Sequence, residues 1–382
     1  MVEEKQLNIT IVNKNYPPNP GITGESANEL AAWLIAKGCN VKIIHTDGLY
    51  AGGARITEVS GKLIKVKSVY NGKNKFIRLF ASFIESYRLI KKAKYEGEGL
   101  RIIMTDPPFL IFWSSLLLKK QTWAYWSMDL YPEAFAAGKL VTEKNFLYKK
   151  FKKIIHKNPP DYFIALGKYQ LDFLQKDYQI SIPSVLLPCG VNTSKQNLET
   201  SLPSWKKNDN KIYLGYCGNL GEAHSSEFIL TIIALLDPAK FTLILSIYGS
   251  KAEKVLNAAR DKPGIIITQR VERNQLPLID VHLVTLLPEW NNVCVPSKAV
   301  SAVCEGCPIL FCGNYENDNW YYLQQAGWLI TDSDKMGQEI KKWFLEISSE
   351  DIQGKKNEAK KVSSALHEMK NEAFIQIEAF AR

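Results

Sequence analysis

One short pattern occurs twice in this chain, once in each half: an apolar strand, a turn that contains glycine, and the start of a helix. The first copy covers residues 7–37, with a Pro- and Gly-rich turn at 16–24. The second covers residues 211–236, with the turn Gly218-Asn219-Leu220-Gly221. Such a unit presents free backbone N–H groups at a helix start, where an anion can bind. Two copies therefore predict two Rossmann-like domains.

Strands and helices alternate through both halves, which favours two doubly wound α/β domains over a single barrel. Strands that are almost wholly apolar, such as 102–104, are typical of a parallel sheet covered on both faces. The polar segment 193–210 shows little periodicity and is predicted to be a linker. We therefore expect an N-terminal domain (1–192) and a C-terminal domain (211–365) with a cleft between them, and a final helix (366–382) that packs back on the N-terminal domain.

The composition excludes several classes of protein. Hydrophobic residues make up 46% of the chain and charged residues 23%, as in ordinary globular proteins. No stretch approaches the roughly 20 apolar residues of a membrane span. The charged N-terminus leads into a strand, so we expect no signal peptide. Seven scattered cysteines predict reduced thiols and a cytoplasmic protein, and the pair Cys304 and Cys307 has no second pair or nearby histidine to complete a metal site.

The net charge of +9 points to an anionic partner. The basic residues concentrate in two stretches that also carry aromatic residues, 73–94 and 144–157, and both are predicted to be amphipathic helices. Such helices favour an anionic membrane surface, for example as a peripheral protein on the inner face of the plasma membrane. The alternative is a solvated helix whose apolar face packs on its own domain. A nucleic-acid partner is not expected, because no nucleic-acid-binding motif is present.

Several residues near predicted helix starts are suited to phosphate. Gly218 allows close approach of a diphosphate to the backbone. Tyr248 and Gly249 end the next strand in the same manner. Ser297 and Lys298 begin an apolar helix, and a lysine at a helix start opposes the helix dipole unless an anion lies between them. We expect a phosphate at this position; the alternative is a solvated Lys298.

Six segments, spread over nearly the whole chain and placed along it in the order that the family has, together resemble the GT-B glycosyltransferases; those with PSK and DLYPE are fairly specific, and the Gly turns are not. The similarity is greatest to the family 4 type from exopolysaccharide and colanic-acid clusters. The segments are DVHLVTLLPEWNNVCVPSKAVSAVCEGCPILF, GYCGNLGEAHS, YPPNPGITGESANELAAWLIAKGCNVKIIHT, DPPFLI, WSMDLYPEAF and LPCGVN.

The resemblance implies an enzyme whose N-terminal domain takes a lipid-linked or glycan acceptor and whose C-terminal domain takes a nucleotide-diphosphate sugar. It implies transfer with retention of configuration and no metal or other cofactor. On matched positions, the diphosphate would lie at Gly218, Asn219 and Leu220, and Ser297 and Lys298 would touch the phosphates or the nucleotide. An acceptor-side loop would contain Gly21, Thr23 and Gly24, and Asp129 would lie at the reaction centre.

Each candidate side chain also has a structural alternative. Asp129 precedes a Pro-containing turn, so it could orient an acceptor hydroxyl or only cap local backbone N–H groups. His224 follows the Gly218 turn and is the histidine expected in the donor site. His45 and His282 lie in apolar strands and are predicted to be packed core residues.

The chain departs from the family pattern at one glutamate. Counting back from Gly306, the usual position of the second donor-site glutamate holds Ser301, and Glu305 lies four residues on. Two alternatives to a transferase are therefore kept. One is a nucleotide-sugar epimerase of the same fold, and the other is an inactive nucleotide-sugar-binding subunit.

Overall fold

A computed structural model describes residues 6–18, 21–47, 58–70, 72, 74–191 and 202–382. The chain divides into two compact units. Unit 1 comprises Met1–Cys189 with Met369–Arg382, and unit 2 comprises Gly190–Glu368. Asn192, where we predicted the end of the first domain, and the first part of the predicted linker, 193–201, lie outside the described residues.

Unit 1 is built on a seven-stranded parallel sheet in the order β3-β2-β1-β4-β5-β6-β7. Its central strands are buried on both faces because helices cover them, which explains their continuous apolar sequence. The strands are β1 (Asn8–Val12), β2 (Asn40–Thr46), β3 (Lys62–Val66), β4 (Leu100–Ile103), β5 (Trp123–Ser127), β6 (Tyr162–Ala165) and β7 (Ser184–Leu186).

Six helices connect the strands of unit 1, and the end of the last helix of the chain joins them. Near that end, Phe374 packs edge-on against Trp33 and Phe380 stacks on Tyr162, with ring centroids 5.7 Å and 4.3 Å apart. The helices are α1 (Ile22–Ala36), α2 (Lys75–Glu96), α3 (Leu110–Leu117), α4 (Glu133–Ala137), α5 (Phe146–Lys157) and α6 (Lys168–Tyr178).

Unit 2 has a six-stranded parallel sheet in the order β10-β9-β8-β11-β12-β13. Two apolar clusters cover its faces, one around Phe228 and Leu243, the other around Val300 and Phe311. The strands are β8 (Ile212–Asn219), β9 (Phe241–Tyr248), β10 (Ile265–Ile267), β11 (Val281–Thr285), β12 (Ile309–Gly313) and β13 (Gly327–Thr331), and the helices are α7 (Ser226–Leu235), α8 (Ala252–Ala259), α9 (Ser297–Cys304), α10 (Asp318–Leu323), α11 (Met336–Glu346) and α12 (Ser349–Ala381).

Both sheets reverse their strand order at a central pair. In unit 1 the chain winds outward from β1 to β3 and then returns to place β4 beside β1; in unit 2 it returns to place β11 beside β8. Ligands of open α/β sheets bind at the carboxyl ends of the strands beside such a switch point. This position is where functional side chains are to be sought in each unit.

The predicted fold class, two Rossmann-like doubly wound domains, is confirmed by these sheets. The cleft expected between them stays a prediction. Both basic stretches form helices, α2 and α5, although Lys73 lies outside the described residues. In the part of the chain that the structure describes, no helix combines the length and apolar character needed to cross a membrane.

Gly99 makes the close approach that sets β4 beside β1. Its φ is +59°, and an added Cβ would lie 1.8 Å from the carbonyl oxygen of Asn8. We expect Gly99→Ala to lower the free energy of unfolding by about 2 kcal/mol or more, because backbone strain and a clash add. Gly354→Ala is the matched control: Gly354 lies in α12 with open space around it, and helix propensity predicts a gain of about 1 kcal/mol. Urea denaturation measures both, and equal effects would contradict the prediction.

Candidate functional site

Two glycine turns meet at the carboxyl edge of the unit 2 sheet. β8 extends through Gly218 and Asn219, and Leu220 N, directly after it, donates to the carbonyl oxygen of Tyr248, the last residue of β9, at 2.6 Å. Gly249 has φ +113°, and a Cβ there would lie 2.2 Å from Asn219 Oδ1. Gly218 has φ +119° and nothing within 4 Å of such a Cβ. Gly249 is therefore needed for packing between the turns, whereas Gly218 leaves open space for a ligand.

The ammonium group of Lys298 lies against the same turn. Its Nζ donates to Tyr216 Oη at 2.6 Å and to the carbonyl oxygen of Asn219 at 2.7 Å, and it sits 4.3 Å from the centroid of the Tyr216 ring. All three contacts are with neutral groups. Among the described residues, no Asp or Glu lies within ion-pair distance of Lys298. Burial lowers the pKa of Lys298 to about 7. The site therefore holds a half-buried cation that lacks a counter-ion.

His224 joins this site as a neutral group. Its Nδ1 lies 2.6 Å from the carbonyl oxygen of Thr285, and because a carbonyl only accepts, Nδ1 carries the proton. Burial, and then the charge of Lys298, lower the pKa of His224 to about 3. Nε2 is left as a hydrogen-bond acceptor. His224 is therefore suited to a hydroxyl group of a ligand and not to a phosphate.

Ser297 and Ser301 lie on the side of α9 that packs against Gly190. Ser301 Oγ donates to the carbonyl oxygen of Gly190 at 3.1 Å, and Ser301 is buried. A Cβ on Gly190, whose φ is +90°, would lie 2.7 Å from the carbonyl oxygen of Ser297. The position where the family pattern has a glutamate is thus filled by a serine that fastens a neighbouring loop, and the loop leaves little space for a longer side chain.

The described geometry brings most of the predicted donor-site residues to one edge of one sheet. Gly218, Asn219 and Lys298 are in direct contact or adjacent in the chain, and His224 reaches them through the Tyr216 ring, 6.3 Å between centroids. In unit 2 the sequence did not indicate Tyr216, whose hydroxyl accepts a hydrogen bond from Lys298. Its signal, a tyrosine inside an otherwise apolar strand, is equally typical of core packing.

In unit 1 the predicted acceptor-side loop is shorter than expected. Thr23 and Gly24 belong to α1, which begins directly after Gly21. A Cβ on Gly24 would lie 2.9 Å from the carbonyl oxygen of Asn15, and Thr23 Oγ1 accepts from Asn13 Nδ2 at 3.1 Å. Protein backbone thus fills the space that a side chain of Gly24 would take, and the role of Gly24 in ligand approach stays a prediction. Asn19 and Pro20, in the same predicted turn, lie outside the described residues.

Asp129 lies two residues after β5, at the carboxyl edge of the unit 1 sheet. Its N–H donates to Thr105 Oγ1 at 3.2 Å, and its carbonyl oxygen accepts from Tyr125 Oη at 3.2 Å. Within the described ranges its carboxylate accepts no hydrogen bond, so it caps no local N–H group. Burial, and then the charge of Asp106, raise the pKa of Asp129 to about 6.

Asp106 is a second carboxyl group at this edge that sequence reasoning did not single out. It follows β4, the neighbour of β5, and burial raises its pKa to about 6 as well. The sequence could have indicated Asp106, because it begins the segment DPPFLI just after an apolar strand. Three or more His, Cys, Asp or Glu side chains placed to hold a metal ion are not found among the described residues.

Comparisons with known proteins identify the type of fold. No protein-family model and no curated protein matches this sequence. The crystal structure of WaaG, a glycosyltransferase involved in lipopolysaccharide biosynthesis, aligns over 96% of this chain and 98% of its own, with a TM-score of 0.68 and 12% identity. The trehalose-6-phosphate protein from E. coli bound with UDP-2-fluoro glucose aligns over 98% of this chain and 99% of its own, with a TM-score of 0.66 and 10% identity. The structure of a UDP-N-acetylglucosamine 2-epimerase aligns over 94% of each chain, with a TM-score of 0.55 and 11% identity. The chain therefore has the GT-B fold that these structures share.

The uncompensated charge of Lys298 generates a prediction with inorganic pyrophosphate. At pH 8 a lysine with a pKa of about 7 is mostly neutral, and a bound anion favours its charged form. Binding should therefore take up protons, up to about one per site. Calorimetric titrations in two buffers with different ionisation enthalpies measure this uptake.

Lys298→Met should abolish the proton uptake and weaken the binding of pyrophosphate. Lys341→Met, at an exposed lysine of α11 in the same unit, should leave both unchanged. Binding of pyrophosphate with no proton uptake by the wild-type chain would contradict the role of Lys298.

Proposed function

We propose that this chain is a glycosyltransferase that moves a sugar from a nucleotide-diphosphate donor to a lipid-linked or polysaccharide acceptor. The observation that carries the proposal is the amino group of Lys298, which has no acidic partner among the residues that the structure describes and lies beside the open Gly218 turn. A diphosphate would supply the missing negative charge and would accept hydrogen bonds from backbone N–H groups at the turn. The E. coli structure with this fold was determined with UDP-2-fluoro glucose bound, and this supports a nucleotide-diphosphate sugar as the donor.

The proposed reaction is that of a retaining hexosyltransferase of the family 4, exopolysaccharide or colanic-acid type. The bond from the anomeric carbon to the diphosphate oxygen breaks, and its electrons leave with the diphosphate. The acceptor hydroxyl attacks on the same face, and its proton passes to the departing phosphate. Lys298 and the Gly218 turn stabilise the charge that develops on the leaving group. Asp129 orients the acceptor hydroxyl, and no metal or other cofactor takes part.

His224 has a separate part in this proposal. Its unprotonated Nε2 would accept a hydrogen bond from a sugar hydroxyl of the donor. Ser297, at the start of α9, and the half-exposed Tyr248, at the end of β9, would contact the nucleotide or the phosphates.

Two alternatives share the donor site. The epimerase hypothesis is supported by the epimerase structure with this fold. It predicts turnover of the nucleotide sugar without an acceptor. The hypothesis of an inactive subunit is favoured by Ser301, which stands where the second donor-site glutamate is usual and whose hydroxyl donates to the carbonyl oxygen of Gly190. It predicts donor binding without any transfer.

A lipid-linked acceptor is supported by an apolar surface at the starts of α2 and α5. Phe76 and Phe80 on α2, and Phe146 and Leu147 on α5, are 67–86% exposed. Two exposed cations accompany them, Arg78 and Lys149, for which the described part of the chain shows no ion pair. We call these six residues the lipid-facing patch. Its combination of large apolar side chains and cations is that of helices that lie in a membrane interface.

The two helix starts belong to one end of unit 1. Phe83 of α2 and Phe151 of α5 both contact Phe109, at the start of α3, with ring centroids 5.2 Å and 6.0 Å apart. Phe109 follows Asp106 by three residues, at the same sheet edge as Asp129. A membrane-bound acceptor held at the lipid-facing patch would thus be delivered beside Asp129. The proposed location is cytoplasmic and peripheral, on the inner face of the plasma membrane.

Nucleotide sugars should raise the melting temperature, because a ligand that binds only the folded state stabilises it by mass action. UDP-, GDP- and other activated sugars are screened by thermal shift against wild-type protein, Lys298→Met and the control Lys341→Met. We expect at least one donor to shift the wild type and the control but not Lys298→Met. The donor site is refuted if no nucleotide sugar shifts the wild type.

With the identified donor, transfer to lipid-linked sugars separates the three functions. Asp129→Asn should lower kcat by about 100-fold, which is the order of the rate contribution of a positioned acid–base group. Donor binding should be unchanged in this variant. Full transfer by Asp129→Asn would exclude the role of Asp129, and turnover without acceptor would favour the epimerase.

The lipid-facing patch predicts binding to vesicles that contain phosphatidylglycerol. Phe76→Ser with Phe146→Ser should weaken binding about tenfold or more, since burying one Phe side chain contributes about 1.5–3 kcal/mol. Leu345→Ser, at a side chain 74% exposed in unit 2, is the matched control. Vesicle flotation measures the bound fraction. Equal binding to phosphatidylcholine alone, or no effect of the double variant, would argue against the patch.

A further inference from the structure

A groove lined by basic side chains lies between β3, the edge strand of the unit 1 sheet, and the second half of α2. Its volume is about 400 Å³, which is within the usual range for small-molecule sites. Five cations and one acid line it. They are Lys65, Lys67, Arg88, Lys91, Lys92 and Glu96, and we call these six residues the basic groove.

Four of the five cations have no acidic partner among the residues that the structure describes. The one acid of the groove, Glu96, forms an ion pair with Lys92, one helical turn before it. Lys91 contacts a neutral group instead, since its Nζ lies 5.8 Å from the centroid of the Tyr87 ring. The groove therefore carries an excess of positive charge on both of its walls.

This excess is unfavourable for the free protein. Arg88 lies three and four residues before Lys91 and Lys92, so the three side chains share one side of α2. Like charges at this spacing destabilise a helix. Lys65 and Lys67 are two residues apart in an extended segment and lie on one side of it for the same reason of periodicity. An anion between the walls would relieve this repulsion.

A structural explanation covers only one wall. Lysines on an edge strand discourage pairing with the strands of another molecule, and β3 stands at the end of the sheet order. Arg88 and Lys91 belong to the helix across the groove and take no part in strand pairing. Cations that face one groove from two different elements are better explained by a ligand between those elements.

Hydrogen bonds fix the two walls to each other. Ser68, directly after Lys67, donates through its Oγ to Glu85 Oε1 and through its N to Asp47 Oδ1, each at 2.7 Å. Because Glu85 belongs to α2, the first bond joins the end of β3 to the helix that carries Arg88. Asp47 forms no ion pair within the described ranges. The groove is thus already formed before any ligand binds.

We propose that the basic groove binds a compact anion with at least two phosphate groups, at a site that shares no residue with the donor site. A phosphate monoester carries a charge of about −1.5 to −2 near pH 7, so two such groups match four cations, whereas about four carboxylates would be needed. Arg88 offers a planar set of donors for phosphate oxygens, and the lysines offer point charges. This inference does not depend on the proposed transferase function.

Two sources supply this chemistry. One is a soluble molecule with several phosphate groups, and the other is a pair of neighbouring phosphomonoester headgroups in a membrane. The start of the same helix carries Phe76 and Phe80 of the lipid-facing patch, so the experiment must separate the two sources.

Calorimetric titration with inorganic tripolyphosphate tests the groove, in a Lys298→Met background so that the donor site does not contribute. We expect one site per chain. Lys67→Glu with Lys91→Glu, one residue from each wall, should weaken binding by at least about tenfold, because two attractive contacts become repulsive. Lys153→Glu with Lys157→Glu, at exposed lysines of α5, changes the net charge equally and should alter the affinity by less than about twofold, because salt screens distant charges.

Lys67→Arg with Lys91→Arg keeps both charges and should retain the affinity, which separates loss of charge from loss of fold. Citrate, whose charges are carboxylates, should bind more weakly than tripolyphosphate. The phosphate site is overturned if tripolyphosphate does not bind, if the charge-reversal variant binds as tightly as its control, or if citrate binds as tightly as tripolyphosphate.

Flotation with phosphatidic acid vesicles then identifies the source of the phosphate groups. Phe76→Ser and Phe146→Ser are present throughout, so that the lipid-facing patch does not contribute. Flotation that the groove reversal abolishes and tripolyphosphate competes away assigns the groove to lipid headgroups. Flotation that is equal in the reversal variant and its control assigns the groove to a soluble ligand. If no nucleotide sugar binds, the proposed function fails, while the tripolyphosphate titration still decides the groove.

Discussion

The reversal of strand order at β1–β4 and at β8–β11 is the constraint on which the rest of the structure depends. Parallel strands end at one edge of a sheet, and at a reversal the two connecting segments diverge to opposite faces and leave backbone and side chains accessible. Every candidate group lies at such an edge: Lys298 and the Gly218 turn in unit 2, Asp106 and Asp129 in unit 1. The apolar strands supply position and rigidity, and the segments that follow them supply the chemistry.

Each edge holds a half-buried ionisable group for which the described residues provide no ion pair. In unit 2 the charge is the ammonium of Lys298, which is surrounded by a phenol, a carbonyl and an aromatic ring. In unit 1 it is the carboxyl group of Asp129, which accepts no hydrogen bond within the described ranges. Desolvation without a partner costs stability, and it lowers the pKa of the lysine and raises that of the aspartates. Such groups are typical of sites in which a ligand completes the electrostatics, and the signs fit an anionic donor in one unit and a hydroxyl in the other.

Sequence patterns predicted the sheets well but not every role within them. The alternation of apolar strands and helices led to the confirmed fold, because a parallel sheet requires strands that are apolar on both faces. The structure adds close backbone packing at Gly24, which the sequence did not indicate, since a glycine needed for ligand approach and one needed for close packing look alike in a sequence. The expected second glutamate was absent, and only its surroundings explain the serine: Ser301 fastens Gly190, more than a hundred residues earlier.

The amino-acid sequence by itself determined the two Rossmann-like sheets and the glycine turns, because these depend on local periodicity and on backbone conformations that few residues adopt. It also marked Ser297 and Lys298 through the unfavourable position of a lysine at a helix start. Only the tertiary structure decided which charges lack partners. Lys14 and Lys298 are both lysines near strand or helix ends, yet a glutamate 71 residues away neutralises the first and nothing described neutralises the second. Electrostatic compensation is set by distances of a few ångströms between residues far apart in the chain, and no pattern along the chain contains those distances.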